Sequence, residues 1–136
     1  MQMTEETLDA IIKEVAEAAA KGASFAEIRG ISKDELETIY AIGLNNYKAG
    51  AYAEAEKVFS ALTMMSHANQ KYWIALGGAR QQLKQYNEAI GAYKVASFLG
   101  LENPKPHQYA AECYKALGNA EMEAQCREAA KVAAGK

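Results

Sequence analysis

The chain has 136 residues, enough for one domain, of which 50% are hydrophobic and 24% charged, with a formal net charge of −2. That balance fits a folded chain rather than a disordered one, and near-neutral charge gives no electrostatic reason to expect DNA or RNA as a partner. No apolar run approaches the ~20 residues of a membrane span, and the acidic start lacks the basic and apolar parts of a secretory signal.

Twenty-eight alanines against two prolines, Pro104 and Pro106, favour helix. From Thr4 to Lys21, Leu8, Ile11, Ile12, Val15 and Ala19 fall at helical spacing and line one face. Glu5 and Glu6 suit the positive end of that helix, Lys21 suits the negative end, and Gly22 can stop it. Ser24–Glu27 has the spacing of a capping box, which opens a short turn closed by Gly30; Ser32–Glu35 repeats the pattern and opens a longer helix.

Beyond Leu36 the chain repeats itself every 34 residues, as copies 36–69, 70–103 and 104–136. In phase, Ile42 meets Leu76 and Ala110, Gly43 meets Gly77 and Ala111, and Gly50 meets Lys84 and Gly118. Tyr52 meets Tyr86, Ala55 meets Ala89, and Phe59 meets Tyr93. In the third copy the expected alanine arrives at Ala124, one residue late, which reads as one residue inserted in the turn. A 34-residue period alternating small and large residues is the signature of the tetratricopeptide repeat, a helix–turn–helix unit. The expected fold is all-α: a tetratricopeptide superhelix of three repeats with helices at 33–48, 53–66, 70–82, 87–99, 105–116 and 120–133. The amphipathic N-terminal extension, residues 1–35, precedes it as a separate packing or dimerisation segment.

No chemistry stands out. His67 and His107 are forty residues apart in loops, and no phosphate-binding glycine motif or metal-ligand spacing occurs. Cys113 and Cys126 do not form a C-x-x-C pair and read as free thiols. Neither an enzyme nor a cofactor is expected, so function lies in the surface of the repeats. Stacked repeats turn their first helices to a concave face. The phase puts Tyr40, Leu44, Tyr47 and Lys48 there from copy one, and Lys71, Ile74, Gly78, Gln81 and Gln82 from copy two. Copy three adds Lys105, Gln108, Tyr109, Glu112 and Lys115. The apolar residues of the first group can face a ligand or pack against the N-terminal helix. A clamp for acidic C-termini, as in co-chaperones with this repeat, is not expected: Tyr40, Leu44, Ala75 and Tyr109 stand where it needs Lys, Asn, Asn and Arg.

Several stretches together carry a resemblance. They are Leu36-Glu37-x-x-Tyr40, Tyr47-x-x-Gly50-x-Tyr52-x-x-Ala55, Val58-Phe59-x-x-Leu62, Gln85-Tyr86-x-x-Ala89-Ile90-x-x-Tyr93 and Ala110-Ala111-Glu112-Cys113. With the N-terminal helix ahead of them, they resemble the class II chaperones of bacterial type III secretion, the LcrH/SycD group. The resemblance implies a cytoplasmic protein that keeps hydrophobic, pore-forming translocators soluble before export. It implies that an extended Pro-x-Leu-x-x-Pro-like segment near the partner's N-terminus lies in the groove formed by Tyr40, Leu44, Tyr47, Lys48, Ile74, Gly78, Gln81, Gln108, Tyr109 and Glu112. It further implies a weak homodimer through Leu8, Ile11, Ile12 and Val15, with neither membrane insertion nor nucleic acid binding. The alternative is a general tetratricopeptide scaffold joining folded partners.

Overall fold

The computed structural model describes residues 4–20 and 30–135, apart from the side chains of Glu5, Val15 and residues 18–20. The expected Lys21 and Gly22 helix stop and the Ser24–Glu27 capping box lie outside the described residues. Among those described, every regular element is a helix: α1 (Glu5–Ala20), α2 (Lys33–Lys48), α3 (Tyr52–Met65), α4 (Gln70–Gln82), α5 (Tyr86–Leu99), α6 (Lys105–Ala116) and α7 (Ala120–Ala134). The helices of the three repeats start and end within one residue of the sequence expectation. The chain forms two compact units, Met1–His67 and Ala68–Lys136. The first therefore holds the N-terminal helix together with the first repeat.

Local chemistry sets the ends. The Thr4 hydroxyl accepts from the Thr7 N–H at 3.0 Å and starts α1. Ser32 and Glu35 close the anticipated capping box, each side chain accepting from the other's backbone N–H. Ser32→Ala should cost about 1 kcal/mol, read as a lower melting temperature with the helical signal otherwise retained. The three turns inside the repeats share one geometry. Gly50, Lys84 and Gly118 take φ of 81°, 62° and 74°. Each donates its N–H three residues back, and the next residue donates five back, as Ala51 does to Asn46, Gln85 to Arg80 and Asn119 to Tyr114. This is the Schellman ending, which gives orphan helix carbonyls a partner.

That identity corrects one expectation. The third turn has no inserted residue: Gly118 keeps the 34-residue phase and α7 begins at Ala120, two residues later, as α3 and α5 do after Gly50 and Lys84. Glu123, half-buried, stands where Ala55 and Ala89 are fully buried, and Ala124 is exposed. The third repeat departs in side chains, not in length.

Within repeats one and two, close packing rests on a glycine and a ring. A Cβ on Gly43 would lie 2.4 Å from the Phe59 ring, and one on Gly77 would lie 2.4 Å from the Tyr93 ring. Only glycine lets the second helix seat its aromatic there. In the third repeat Ala111 and Arg127 occupy these positions. Arg127 reaches out instead, donating to Glu112 of α6 at 2.6 Å and to Glu123 of its own helix at 3.1 Å. An ionic clasp replaces the wedge.

In the first unit, Ile39, Phe59 and Leu62 form the centre, each no more than 1% exposed. Helix α1 packs on α3, with Leu8 and Ile11 3% exposed and Asp9 3.7 Å from Lys57. The apolar stripe expected to pair with another copy is thus covered within the chain at Leu8 and Ile11, because folding back onto α3 removes them from water. Ile12 stays half-buried, and the Val15 side chain lies outside the described residues. In the second unit, α4 packs on α5 and α6 on α7 around Tyr72, Leu76, Tyr93 and Cys113. The Gln70 amide donates to the Ala96 and Gly100 carbonyls at the end of α5 and accepts from Asn103. It ties the α5–α6 junction to the start of α4.

Candidate functional site

The first helices of the repeats carry the expected ligand-facing residues, and each unit presents its own set. In the first unit, Tyr40, Leu44 and Tyr47 lie on one side of α2 at i, i+4 and i+7 and are half-buried; Lys48 is exposed. The Tyr40 ring leans on Phe59 at 5.9 Å between centroids, and Tyr47 meets the edge of Tyr52 at 5.2 Å. Packing behind them fixes these rings while leaving part of each surface open. Helix α1 contacts chiefly α3, so the N-terminal helix is not what Tyr40, Leu44 and Tyr47 mainly serve.

In the second unit, Ile74, Gly78 and Gln81 on α4 and Tyr109 on α6 are half-buried, while Gln108 and Glu112 are exposed. Sequence reasoning placed Tyr93 in the core only. It is 2% exposed, yet its ring packs against Tyr109 at 5.6 Å and its hydroxyl donates to Gln81 Oε1 at 2.7 Å. One side chain of α5 thereby positions two candidate ligand-facing residues, from α4 and α6. The signal was available: the 34-residue phase pairs Tyr93 with Phe59, and only tyrosine adds a hydroxyl.

Glu112, expected as a groove carboxylate, is committed to Arg127. That hydrogen bond holds its carboxyl below the ordinary 4.5, outweighing the opposing effect of burial. Because the folded-state value is the lower one, Glu112 contributes stability in full above about pH 4.5 and loses it as pH falls through the lowered value. Glu112→Gln should therefore melt below the parent at about pH 7, and the gap should narrow as the pH falls from about 4.5 through the lowered value. A gap that stays constant across that range would mean the change acts through packing.

Cys113 is fully buried and free, and burial pushes its thiol up to about 11; Cys126, half-buried and free, is raised by the same cause. Protonated thiols of this kind are packing groups rather than nucleophiles. Among the described residues no group of three His, Cys, Asp or Glu could hold a metal ion, and no helix is long and apolar enough to cross a membrane. What the geometry offers is half-open aromatic and aliphatic surface with an amide beside it, which suits an extended polypeptide.

Known proteins share this fold. Pseudomonas aeruginosa PcrH, solved with the chaperone-binding region of PopD, is 36% identical to this chain with a TM-score of 0.76, over 79% of this chain and 80% of PcrH. The chain belongs to the LcrH/SycD group of class II type III secretion chaperones. Another member of that group, Yersinia enterocolitica SycD, solved with a peptide of the translocator YopD, is 30% identical with a TM-score of 0.76, over 79% of this chain and 82% of SycD. The low calcium response locus protein H of Yersinia pestis is 36% identical over 92 residues, 68% of this chain. This chain spans only 55% of that relative's length. No protein-family model matches the chain.

Proposed function

We propose that the chain is a secretion chaperone of the bacterial cytoplasm. It binds extended N-terminal segments of hydrophobic type III translocators along the first helices of its repeats and keeps them soluble and export-competent. It does so by binding alone, without catalysis or a cofactor. The observation that carries this reading is the half-exposed aromatic and aliphatic surface of Tyr40, Leu44 and Tyr47 in one unit and Ile74 and Tyr109 in the other. Solved relatives of the chain hold translocator segments.

The physics suits a Pro-x-Leu-x-x-Pro-like ligand. An extended segment presents separated apolar side chains, and its prolines lower the entropy lost on ordering. Burying one leucine contributes ~1.5–3 kcal/mol, and tyrosine walls add area while their hydroxyls find polar partners. Three anchors, less the cost of association, leave about micromolar affinity, near −8 kcal/mol. Such a complex holds its partner yet can be stripped.

Residues 36–136 would carry the ligand surface and residues 1–35 the packing and self-association segment. A weak homodimer belongs to this reading; SycD has itself been solved in an alternative dimer. With Leu8 and Ile11 on α3, pairing would draw on the half-buried Ile12. Ile12→Asp should shift sedimentation towards monomer while peptide binding stays intact. A parent that sediments as a monomer at about 100 micromolar removes the dimer.

The reading itself is tested by co-expression with the neighbouring open reading frames. A membrane-active partner should become soluble only with the chaperone, and a synthetic peptide of its Pro-x-Leu-x-x-Pro-like segment should bind. Capture of folded cytosolic partners, with no effect on solubility of the neighbours, would favour the scaffold instead.

A further inference from the structure

Gln81 stands in the last turn of α4, and both its ends are held. Its backbone carbonyl accepts from the Lys84 N–H at 3.0 Å in the turn that closes the helix. Its side-chain oxygen, Oε1, accepts from the Tyr93 hydroxyl at 2.7 Å. An amide that accepts through its oxygen turns its NH2, with two N–H donors, the other way. That NH2 has no partner among the described residues, and no buried side-chain nitrogen or oxygen there lacks one. The donors of half-buried Gln81 therefore open to the surface.

Tyr93 sets that direction. It is 2% exposed, so it presents almost nothing to a ligand itself. Its ring lies on Gly77 and against Tyr109, which gives the hydroxyl one fixed place. The 34-residue phase supplies an independent observation. In the first repeat the position of Gln81 is taken by Tyr47 and that of Tyr93 by Phe59. Where the ligand-facing residue is a ring, the buried aromatic has no hydroxyl; where it is an amide, the aromatic carries one. A loose glutamine would lose rotamer freedom on meeting a ligand. One already tied at both ends loses little more.

An extended segment makes no internal backbone hydrogen bonds, and each of its proline peptide bonds offers a carbonyl without an N–H. A surface that receives such a chain needs donors more than acceptors. We propose that Tyr93 is a positioning residue of the ligand surface. Its hydroxyl aims the Gln81 amide so that the NH2 donates to a backbone carbonyl of the extended segment. Its ring backs Tyr109, which lies under the adjoining apolar side chain. This contact rests on the proposed chaperone function and deepens it. Because Gln81 meets main chain, it favours an extended backbone and leaves the choice of side chain to Tyr109 and its apolar neighbours.

The test is calorimetric titration of the synthetic Pro-x-Leu-x-x-Pro-like peptide into the full chain, with parallel melts. Tyr93→Phe keeps the ring on Gly77 and against Tyr109 and removes only the hydroxyl. It should weaken the peptide about threefold. Gln81→Glu keeps an oxygen for the Tyr93 hydroxyl but has no N–H to give, and should weaken the peptide about tenfold. With both changes the loss should equal that of Gln81→Glu alone, because no donor remains to be aimed. In the parent, the Gln81 side-chain NH2 resonances, identified by their absence from Gln81→Glu, should move downfield as peptide is added. Unchanged peptide affinity in either single variant overturns the proposal and leaves the chaperone reading standing. So does a Tyr93→Phe loss that repeats in full on the Gln81→Glu background, since the hydroxyl would then act through the fold alone. NH2 resonances that stay in place overturn it even where a variant fails to fold. A parent that binds no peptide removes the chaperone reading, and this contact with it.

Discussion

Gly77→Leu should destabilise the protein near the upper end of the ~1–3 kcal/mol that overpacking a core costs, lowering the melting temperature by roughly 10 °C. The added Cβ alone would stand 2.4 Å from Tyr93 Cε1. The ring cannot swing aside, because it is held by Tyr109 on one side and by its own hydrogen bond to Gln81 on the other. Gly91→Ala is the natural control: the same helix-favouring change with open space around it should raise the melting temperature. Thermal melts of both decide the matter. A Gly77→Leu variant that melts like its parent would mean the ring does not sit on the glycine.

Leu44→Asp should weaken binding of the extended peptide by at least tenfold, on the order of the 1.4 kcal/mol that a factor of ten represents, and with little loss of helix. Leu44 is half-buried between Tyr40 and Tyr47 on α2, so the charge is added beside apolar surface that the ligand would cover. Tyr40→Ala and Tyr47→Ala should weaken binding too. Each also removes a ring contact, to Phe59 and Tyr52, and some stability with it. Calorimetric titration with parallel melts separates the two effects. If Leu44→Asp unfolds the chain, the residue belongs to the core; if it binds as tightly as the parent, the ligand lies elsewhere.

The repeat made most of this fold legible. A period of 34 residues fixes six helices at once, and Gly43, Gly77, Phe59 and Tyr93 announce the packing through their sizes. Ala124 misled because alanine identity was followed where turn geometry is decisive: Gly118 holds the left-handed position whatever residue comes five later. Once Glu123 is accepted at that position, Arg127 falls in phase with Phe59 and Tyr93, and its two carboxylate partners follow. The stripe on α1 was visible, but its destination was not. Leu8 and Ile11 show the same spacing whether the helix covers α3 or another copy, and only tertiary packing distinguishes them. Tyr93 was legible as core, and the hydroxyl it carries where Phe59 has none was the one hint of a further role; that hint names neither Gln81 nor Tyr109, because a hydrogen bond between helices leaves no periodic trace.

The ionic fastening of the last repeat has a consequence for how the chain answers its surroundings. A ring pressed onto a glycine is indifferent to dissolved ions, whereas Arg127 holds Glu112 and Glu123 at a hydrated surface, with side chains 43%, 51% and 23% exposed. Counterions screen such charges over about 8 Å at physiological ionic strength and over shorter distances as salt rises. Repeats one and two are therefore clipped by shape, and the third by something the medium can dilute. The seam between α6 and α7 is thus the one of the three with a fastening that loosens as salt rises.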